Sequence, residues 1–275
     1  MSRENQDKVR SVSTLLCLVG KTALITGGGG HVGRAMANAF AELGANVAVL
    51  DANASAASKV SDDVAAEHGV KTMAMGLDIA DDMALRAVPS QIEDTLGGLD
   101  ILVNNAAFAG DKNLSGWAVP FAQQSVESWR AALEVNLTAV FSLSQASAGL
   151  LAKSGAGSII NMSSIYGVVG PDNALYKGTT MGNPSAYGVS KGGLIQLTRY
   201  LSTELAPHVR VNAISPGGIW RNQAPQFVER YEKRTPMGRM GKEEDMIGAA
   251  VYFASDMSAY VTGQNLLVDG GWTVW

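Results

Sequence analysis

Seven short apolar runs rich in β-branched residues, most of them separated by helix-length segments, leave few architectures open to this chain. The runs are Thr22–Thr26, Asn46–Leu50, Thr72–Leu77, Ile101–Asn104, Ser158–Met162, Arg210–Ile214 and Asn265–Val268. Between them lie segments that read as helices near 31–43, 54–67, 81–96, 125–152, 185–205 and 243–254. Strands alternating with helices at this spacing pair in parallel and carry helices on both faces. The pattern predicts a single α/β domain over 14–275, a doubly wound sheet of about seven parallel strands, preceded by a flexible tail over 1–13. Two connections break the rhythm, near 165–185 and 217–241. Both leave the carboxyl ends of strands, where open α/β sheets bind ligands, so both are candidate walls of a site.

Composition narrows the function classes. Apolar residues make up 47% of the 275 and charged residues 17%, below the roughly 25% charged typical of soluble domains. Such a chain fills a large core and has surplus to cover a subunit interface. Its net charge of −4 lacks the basic stripe of a nucleic-acid binder. No apolar run approaches the roughly 20 residues that span a bilayer. The single cysteine, Cys17, cannot form an internal disulfide and fits a cytoplasmic setting. His31, His68 and His208 are scattered, so no metal site is expected.

The stretch Thr26-Gly27-Gly28-Gly29-Gly30-His31-Val32-Gly33 follows the first strand and opens the first long helix. Glycines there permit a tight turn and let backbone amides approach a pyrophosphate, where the helix N-terminus adds partial positive charge. Asp51 ends the second strand 18 residues after Gly33. A carboxylate at that place accepts hydrogen bonds from ribose hydroxyls and repels a 2′-phosphate, which favours NAD over NADP. The same residue could instead cap the following helix.

A second constellation is Tyr187-Gly188-Val189-Ser190-Lys191. Its phenol and ammonium share a helix face at i and i+4. A neighbouring cation favours the phenolate and moves Tyr187 from its ordinary pKa near ~10 toward a range useful in acid–base catalysis. Among Tyr166, Tyr176, Tyr187 and Tyr200, only Tyr187 has a lysine four residues on.

Together these features resemble the short-chain dehydrogenase/reductase family over roughly residues 14–275. The likeness also rests on Leu77-Asp78-Ile79, Asn104-Asn105-Ala106-Ala107, Val135-Asn136, Ser163-Ser164, Pro216-Gly217-Gly218-Ile219 and the stretch from Tyr260 to Gly271. It implies a Rossmann-type domain and an NAD(P)-dependent enzyme that interconverts a secondary alcohol and a ketone. By that likeness Tyr187 is the acid/base and Ser164 donates to the reacting oxygen. Lys191 lowers the Tyr187 pKa and binds the nicotinamide ribose, and Asn136 holds a water linked to Lys191. Gly27, Gly30, His31, Val32 and Gly33 would meet the pyrophosphate, and Asp51 the ribose. Asp78 and Ile79 would flank the adenine, Asn105, Ala106 and Ala107 would line the adenosine side, and Pro216, Gly217, Gly218 and Ile219 would cover the nicotinamide. The family also implies a homotetramer or dimer, with the 125–152 and 185–205 helices and the last strand at interfaces.

Three departures stand out. His31 occupies a place where the single-domain pattern has glycine, so the glycines follow the spacing of the extended branch. Ser164 and Tyr187 are 23 residues apart, more than is usual in the family, so residues near 170–183 must loop out. Arg221 stands where a threonine is common. Arg221, Arg230, Lys233, Arg234 and Arg239 face only Glu229 and Glu232 in the second irregular stretch, which points either to a lid that binds an anionic group or to solvated or inter-subunit charges. The long loop from Tyr176 to Pro184 resembles a subgroup linked to bacterial surface-polysaccharide and flagellin-glycan biosynthesis, so a sugar or sugar derivative is the expected substrate. A nucleotide-sugar epimerase or dehydratase with tightly held NAD, a 3-oxoacyl thioester reductase and a dinucleotide-sensing protein are the competing readings.

Overall fold

In the computed structural model, which describes residues 9–108, 110 and 114–275, all seven expected strands form one sheet. They are β1 (Thr22–Thr26), β2 (Asn46–Asp51), β3 (Thr72–Gly76), β4 (Ile101–Asn104), β5 (Gly157–Met162), β6 (Val209–Pro216) and β7 (Asn265–Val268). Their order is β3-β2-β1-β4-β5-β6-β7, and every pairing is parallel. The chain order reverses between β1 and β4, which opens a crevice beyond their carboxyl ends.

The period-two pleat explains why the central strands carry apolar residues at successive positions. Ala23, Ile25, Val47, Val49, Ile101, Val103 and Ile160 point into one core. Leu24, Ala48, Leu50, Leu102, Ile159 and Val211 point into the other. Both faces are therefore dry, as a parallel sheet between helix layers requires. The helices are α1 (Val12–Leu16), α2 (His31–Glu42), α3 (Ala54–His68), α4 (Asp82–Leu96), α5 (Val126–Leu133), α6 (Ala139–Lys153), α7 (Ser185–Glu204), α8 (Pro225–Arg234) and α9 (Glu244–Ala254). Residues of α2, α3 and α9 fill the first core, and residues of α4, α6 and α7 the second. Local signals set their ends. Asn53 and Asp81 accept hydrogen bonds at 3.1 Å from the third residue on, and Gly69 and Gly97 close α3 and α4 with φ of 68° and 91°.

Three expectations need correction. Of the tail expected over 1–13, residues 1–8 lie outside the described residues, and Val12 already begins α1, capped by Ser11. The helix expected over 125–152 is interrupted by a π turn, Glu134–Thr138. The irregular stretch 217–241 contains α8. Taken as one run, Val126–Lys153 is long and apolar enough to cross a membrane by composition alone. Its Ala139, Leu143 and Leu151 instead pack in the second core.

Candidate active site

The nucleotide half of the crevice is made largely of backbone. Gly27 has φ of 61°, and a Cβ there would lie 2.9 Å from the Ala106 Cα. A Cβ on Gly29 would meet Ala56 at 2.8 Å and the Asp51 carboxylate at 3.0 Å. Asn105 closes the turn from inside, its amide donating to the carbonyls of Thr26 and Gly27 at 3.0 Å. Gly30 precedes α2 without a side-chain cap, which leaves the first amides of that helix open to an anion. Asp51 accepts from the Gly29 amide at 3.1 Å and from the Asn53 amide at 2.9 Å. It thus braces the glycine turn, while Asn53 performs the capping of α3. Ile79 is buried and Asp78 exposed beyond β3. Glycines at the points of closest approach, an uncapped helix and a carboxylate at the end of β2 fit a dinucleotide. His31 points outward, its side chain 74% exposed and 3.7 Å from Glu243.

A cavity of about 320 Å³ continues from this turn. Val32, Asn105, Ala107, Ser164, Tyr187, Lys191, Pro216, Gly217, Gly218 and Ile219 all line it, so ten of the expected site residues converge there. Tyr187 and Lys191 sit on the first turns of α7, and Ser164 follows β5. The Lys191 ammonium donates to the Met162 carbonyl at 2.7 Å and lies 5.8 Å from the centre of the Tyr187 ring. Burial lowers Lys191 to about 8. Burial also raises Tyr187, while the Ser164 hydroxyl acts on that phenol in the opposite sense by hydrogen bonding. The expected lowering of Tyr187 by Lys191 is therefore absent from this arrangement. Desolvation dominates, and the ammonium spends a proton on a carbonyl.

Asn136 is fully buried in the π turn and does not line the cavity. It accepts from the Phe108 amide at 2.7 Å and donates to Ser190 at 3.0 Å; Ser190 in turn donates to the Tyr187 carbonyl at 2.8 Å. Such π turns frequently mark functional sites.

The far wall comes from the two irregular stretches expected to form it, but its aromatic side chains were not singled out in the sequence. Tyr166, Tyr176, Phe227, Tyr231 and Met240 line the cavity and join Ile165, Leu175 and Trp272 in a third apolar cluster. Tyr231 accepts from the Gly218 amide at 2.5 Å, and Tyr166 and Tyr176 share a hydroxyl hydrogen bond of 2.9 Å. Phe227 and Tyr231 are one turn apart on α8. That spacing was the available signal, hidden among Glu229, Arg230, Glu232, Lys233 and Arg234.

Those basic residues do not form the expected anion-binding lid. Arg221 pairs with Glu243 at 2.7 Å, Lys233 with Glu229 at 2.6 Å, Arg234 with Asp172 at 2.8 Å and Arg239 with Asp245 at 2.7 Å. Arg230 donates to the carbonyls of Leu175 and Lys177 at 3.2 and 2.5 Å. None of the five lines the cavity. Arg230 and Arg234 instead tie α8 to the inserted loop, which sets Tyr176 opposite Tyr166.

Comparison with known proteins finds relatives over nearly the whole chain. A family model described as enoyl-(acyl carrier protein) reductase matches residues 30–273. The chain is 31% identical to 3-oxoacyl-[acyl-carrier-protein] reductase FabG of Aquifex aeolicus, over 92% of this chain and 98% of that one. It is 35% identical to 2,5-dichloro-2,5-cyclohexadiene-1,4-diol dehydrogenase LinX of Sphingobium indicum, over 94% and 98%. With galactitol 2-dehydrogenase of Cereibacter sphaeroides it shares 32% over 95% and 98%. A short-chain type dehydrogenase/reductase from Mycobacterium marinum superposes with a TM-score of 0.84 at 33% identity, covering 96% of this chain and 99% of the other. A gluconate 5-dehydrogenase from Burkholderia cenocepacia, solved with NADP and tartrate, gives 0.85 at 30% identity over 96% and 100%.

Proposed function

This chain belongs to the short-chain dehydrogenase/reductase family of oxidoreductases, and we propose that it interconverts a secondary alcohol and a ketone at the cavity lined by Ser164, Tyr187 and Lys191. The observation that carries the reading is the meeting of Ser164, from the end of β5, with Tyr187 and Lys191 of α7, beside a glycine turn shaped for a dinucleotide. When bound, a nicotinamide cofactor supplies or accepts the hydride. The chain's own residues do the rest. Tyr187 takes the carbinol proton in oxidation and returns it in reduction. Ser164 donates to the same oxygen as charge develops on it. Lys191 holds the nicotinamide ribose, and the Ser164 hydroxyl offsets part of the burial that keeps the phenol protonated. Asn136 steadies the start of α7 through Ser190.

We assign the pyrophosphate to Gly27, Gly30, His31, Val32 and Gly33, and the adenosine to Asp51, Asp78, Ile79, Asn105, Ala106 and Ala107. The nicotinamide falls to Pro216, Gly217, Gly218 and Ile219. NAD is the preferred cofactor, because the Asp51 carboxylate at the end of β2 repels a 2′-phosphate. Asp51→Ala should narrow the preference for NAD over NADP by about tenfold, since it removes that repulsion.

The substrate is an uncharged sugar, polyol or alicyclic alcohol. Apart from Lys191, no charged side chain among the described residues lines the cavity. A step in surface-polysaccharide or flagellin-glycan synthesis would be one case of it. The likeness to FabG favours a second reading, reduction of a 3-oxoacyl thioester. The test is NADH formation across neutral secondary alcohols, set against NADPH or NADH consumption with a 3-oxoacyl thioester, with Tyr187→Phe as control. Turnover of the thioester alone would replace the first reading with the second. Release of NAD from the purified chain on denaturation, with no net NADH from any substrate, would favour an epimerase or dehydratase.

Assembly into a dimer or tetramer is part of the same proposal. Phe141 on α6, Val189 and Tyr200 on α7, and Leu266 and Leu267 on β7 are exposed apolar residues on the three expected interface elements. Light scattering coupled to gel filtration tests it. A cytoplasmic setting, where the exposed Cys17 stays reduced, fits this reading.

A further inference from the structure

We propose that the Tyr166–Tyr176 phenol pair recognises a second hydroxyl of the substrate, so that the site selects diols and polyols over alcohols with one hydroxyl. This rests on the alcohol-oxidising reading above and gives it a substrate class. Between them the two phenols carry two O–H donors, and the 2.9 Å bond that joins them uses one. The Asn183 side chain hydrogen-bonds the Tyr166 phenol as a donor, which favours the phenolate. Among the described residues no acceptor meets the second phenol O–H, so one donor remains for the cavity that both rings line. The other polar groups nearby each hold one hydrogen bond within the protein. Tyr231 accepts from the Gly218 amide, Ser164 accepts from the Tyr166 amide at 3.2 Å, and Gln223 donates to the Ile219 carbonyl at 2.8 Å.

Burial, with Tyr176 adding to it, raises the Tyr166 phenol. Tyr166 therefore stays a neutral phenol that can both give and take a hydrogen bond. A substrate hydroxyl suits it because that group both gives and takes one hydrogen bond. A C–H in the same place would leave a half-buried O–H unmatched, and sites built around such a group discriminate strongly against the analogue that lacks it. Phe227, Ile165 and Met240 offer apolar surface to the carbon skeleton. Tyr176 lies on the inserted loop between Ser164 and Tyr187, so the insertion that lengthens their spacing also supplies half of the recognition pair. Arg230 and Gln226 of α8 hold that loop by its carbonyls at Lys177 and Gly178.

The experiment compares kcat/KM for cyclohexanol with that for cis- and trans-cyclohexane-1,2-diol, in the wild type, Tyr166→Phe, Tyr176→Phe and the double variant. Phenylalanine keeps the rings that pack the wall and removes only the oxygens, and unchanged cofactor affinity reports an intact fold. The wild type should favour at least one diol by about tenfold or more. Each single variant should lose most of that preference, mainly through KM. The double variant should lose no more than the singles, because the pair acts as a unit. Equal wild-type values for cyclohexanol and both diols, or a diol preference that survives both substitutions, would overturn the assignment while leaving the oxidoreductase reading in place. Absence of NADH from all three alcohols and from the wider alcohol panel would remove both.

Discussion

On one side of the crevice the glycine turn and its neighbours present amides, carbonyls and one carboxylate. On the other, Tyr166, Tyr176, Phe227, Tyr231 and Met240 present side chains brought from three separate segments. The nucleotide side has almost no freedom, because a Cβ at Gly27 or Gly29 would strike its neighbours. The substrate side is held by interchangeable contacts, chiefly the hydrogen bonds from Arg230 and Arg234 to the inserted loop. The difference teaches where a fold of this kind keeps its chemistry constant and where it lets selectivity change. A ligand met by backbone constrains the sequence locally, whereas one met by side chains constrains only their final arrangement.

The contrast yields experiments of decreasing expected size. Gly33→Ala, which drives a methyl into the Gly27 carbonyl, should cost about 3 kcal/mol of stability and most of the cofactor affinity. Calorimetry and cofactor titration measure both, and near-normal binding would show that the turn yields more than its packing implies.

Lys191 tests the junction of the two halves. Its folded pKa of about 8 lies below the ordinary 10.5. Below pH 8 both states hold the proton and the burial penalty is present in full, roughly 3 kcal/mol from a shift of this size. Between about 8 and 10.5 only the unfolded chain holds it, so stability rises with pH. Denaturation of Lys191→Met should show that rise abolished. A wild-type curve that is flat or falls over this range, or a variant that keeps the rise, would assign the titration elsewhere.

On the substrate side, Arg230→Ala frees the carbonyls of the inserted loop. It should raise the substrate KM about tenfold, as expected for losing charge-assisted hydrogen bonds, with kcat and cofactor affinity nearly unchanged. Steady-state kinetics with each ligand varied separates the two halves. Lys233→Ala, which removes an exposed pair with Glu229 on the outer face of α8, should shift the melting temperature by no more than about one degree. A shift as large as that from Arg230→Ala would mean that helix charge in general, and not its grip on the loop, holds the wall.

How much was legible in the sequence follows the same division. The strands, the glycine turn and the Tyr187–Lys191 pair could be read from local periodicity and spacing, and the meeting of Ser164 and Pro216–Ile219 with them was what the family likeness implied. The π turn at Asn136 could not be read, because Glu134–Thr138 carries ordinary helix residues. α8 was obscured because Phe227 and Tyr231 are its only fully buried side chains among many charges. The basic residues 221–239 were misread as a lid, since their partners Asp172, Glu243 and Asp245 and the carbonyls of 174–177 include groups distant in sequence. The phenol pair could not be anticipated because no local pattern joins Tyr166 to Tyr176.

The proton-transfer role of Tyr187 is tested most directly by the pH dependence of kcat/KM for alcohol oxidation in the wild type and in Tyr187→Phe. Oxidation needs the phenol deprotonated, and burial raises that phenol. Wild-type kcat/KM should therefore climb with pH across the neutral-to-alkaline range. Tyr187→Phe should fall by at least about a thousandfold, lose the climb and still bind cofactor with its usual affinity. A variant that keeps a tenth of the activity along with the same alkaline climb would contradict the account.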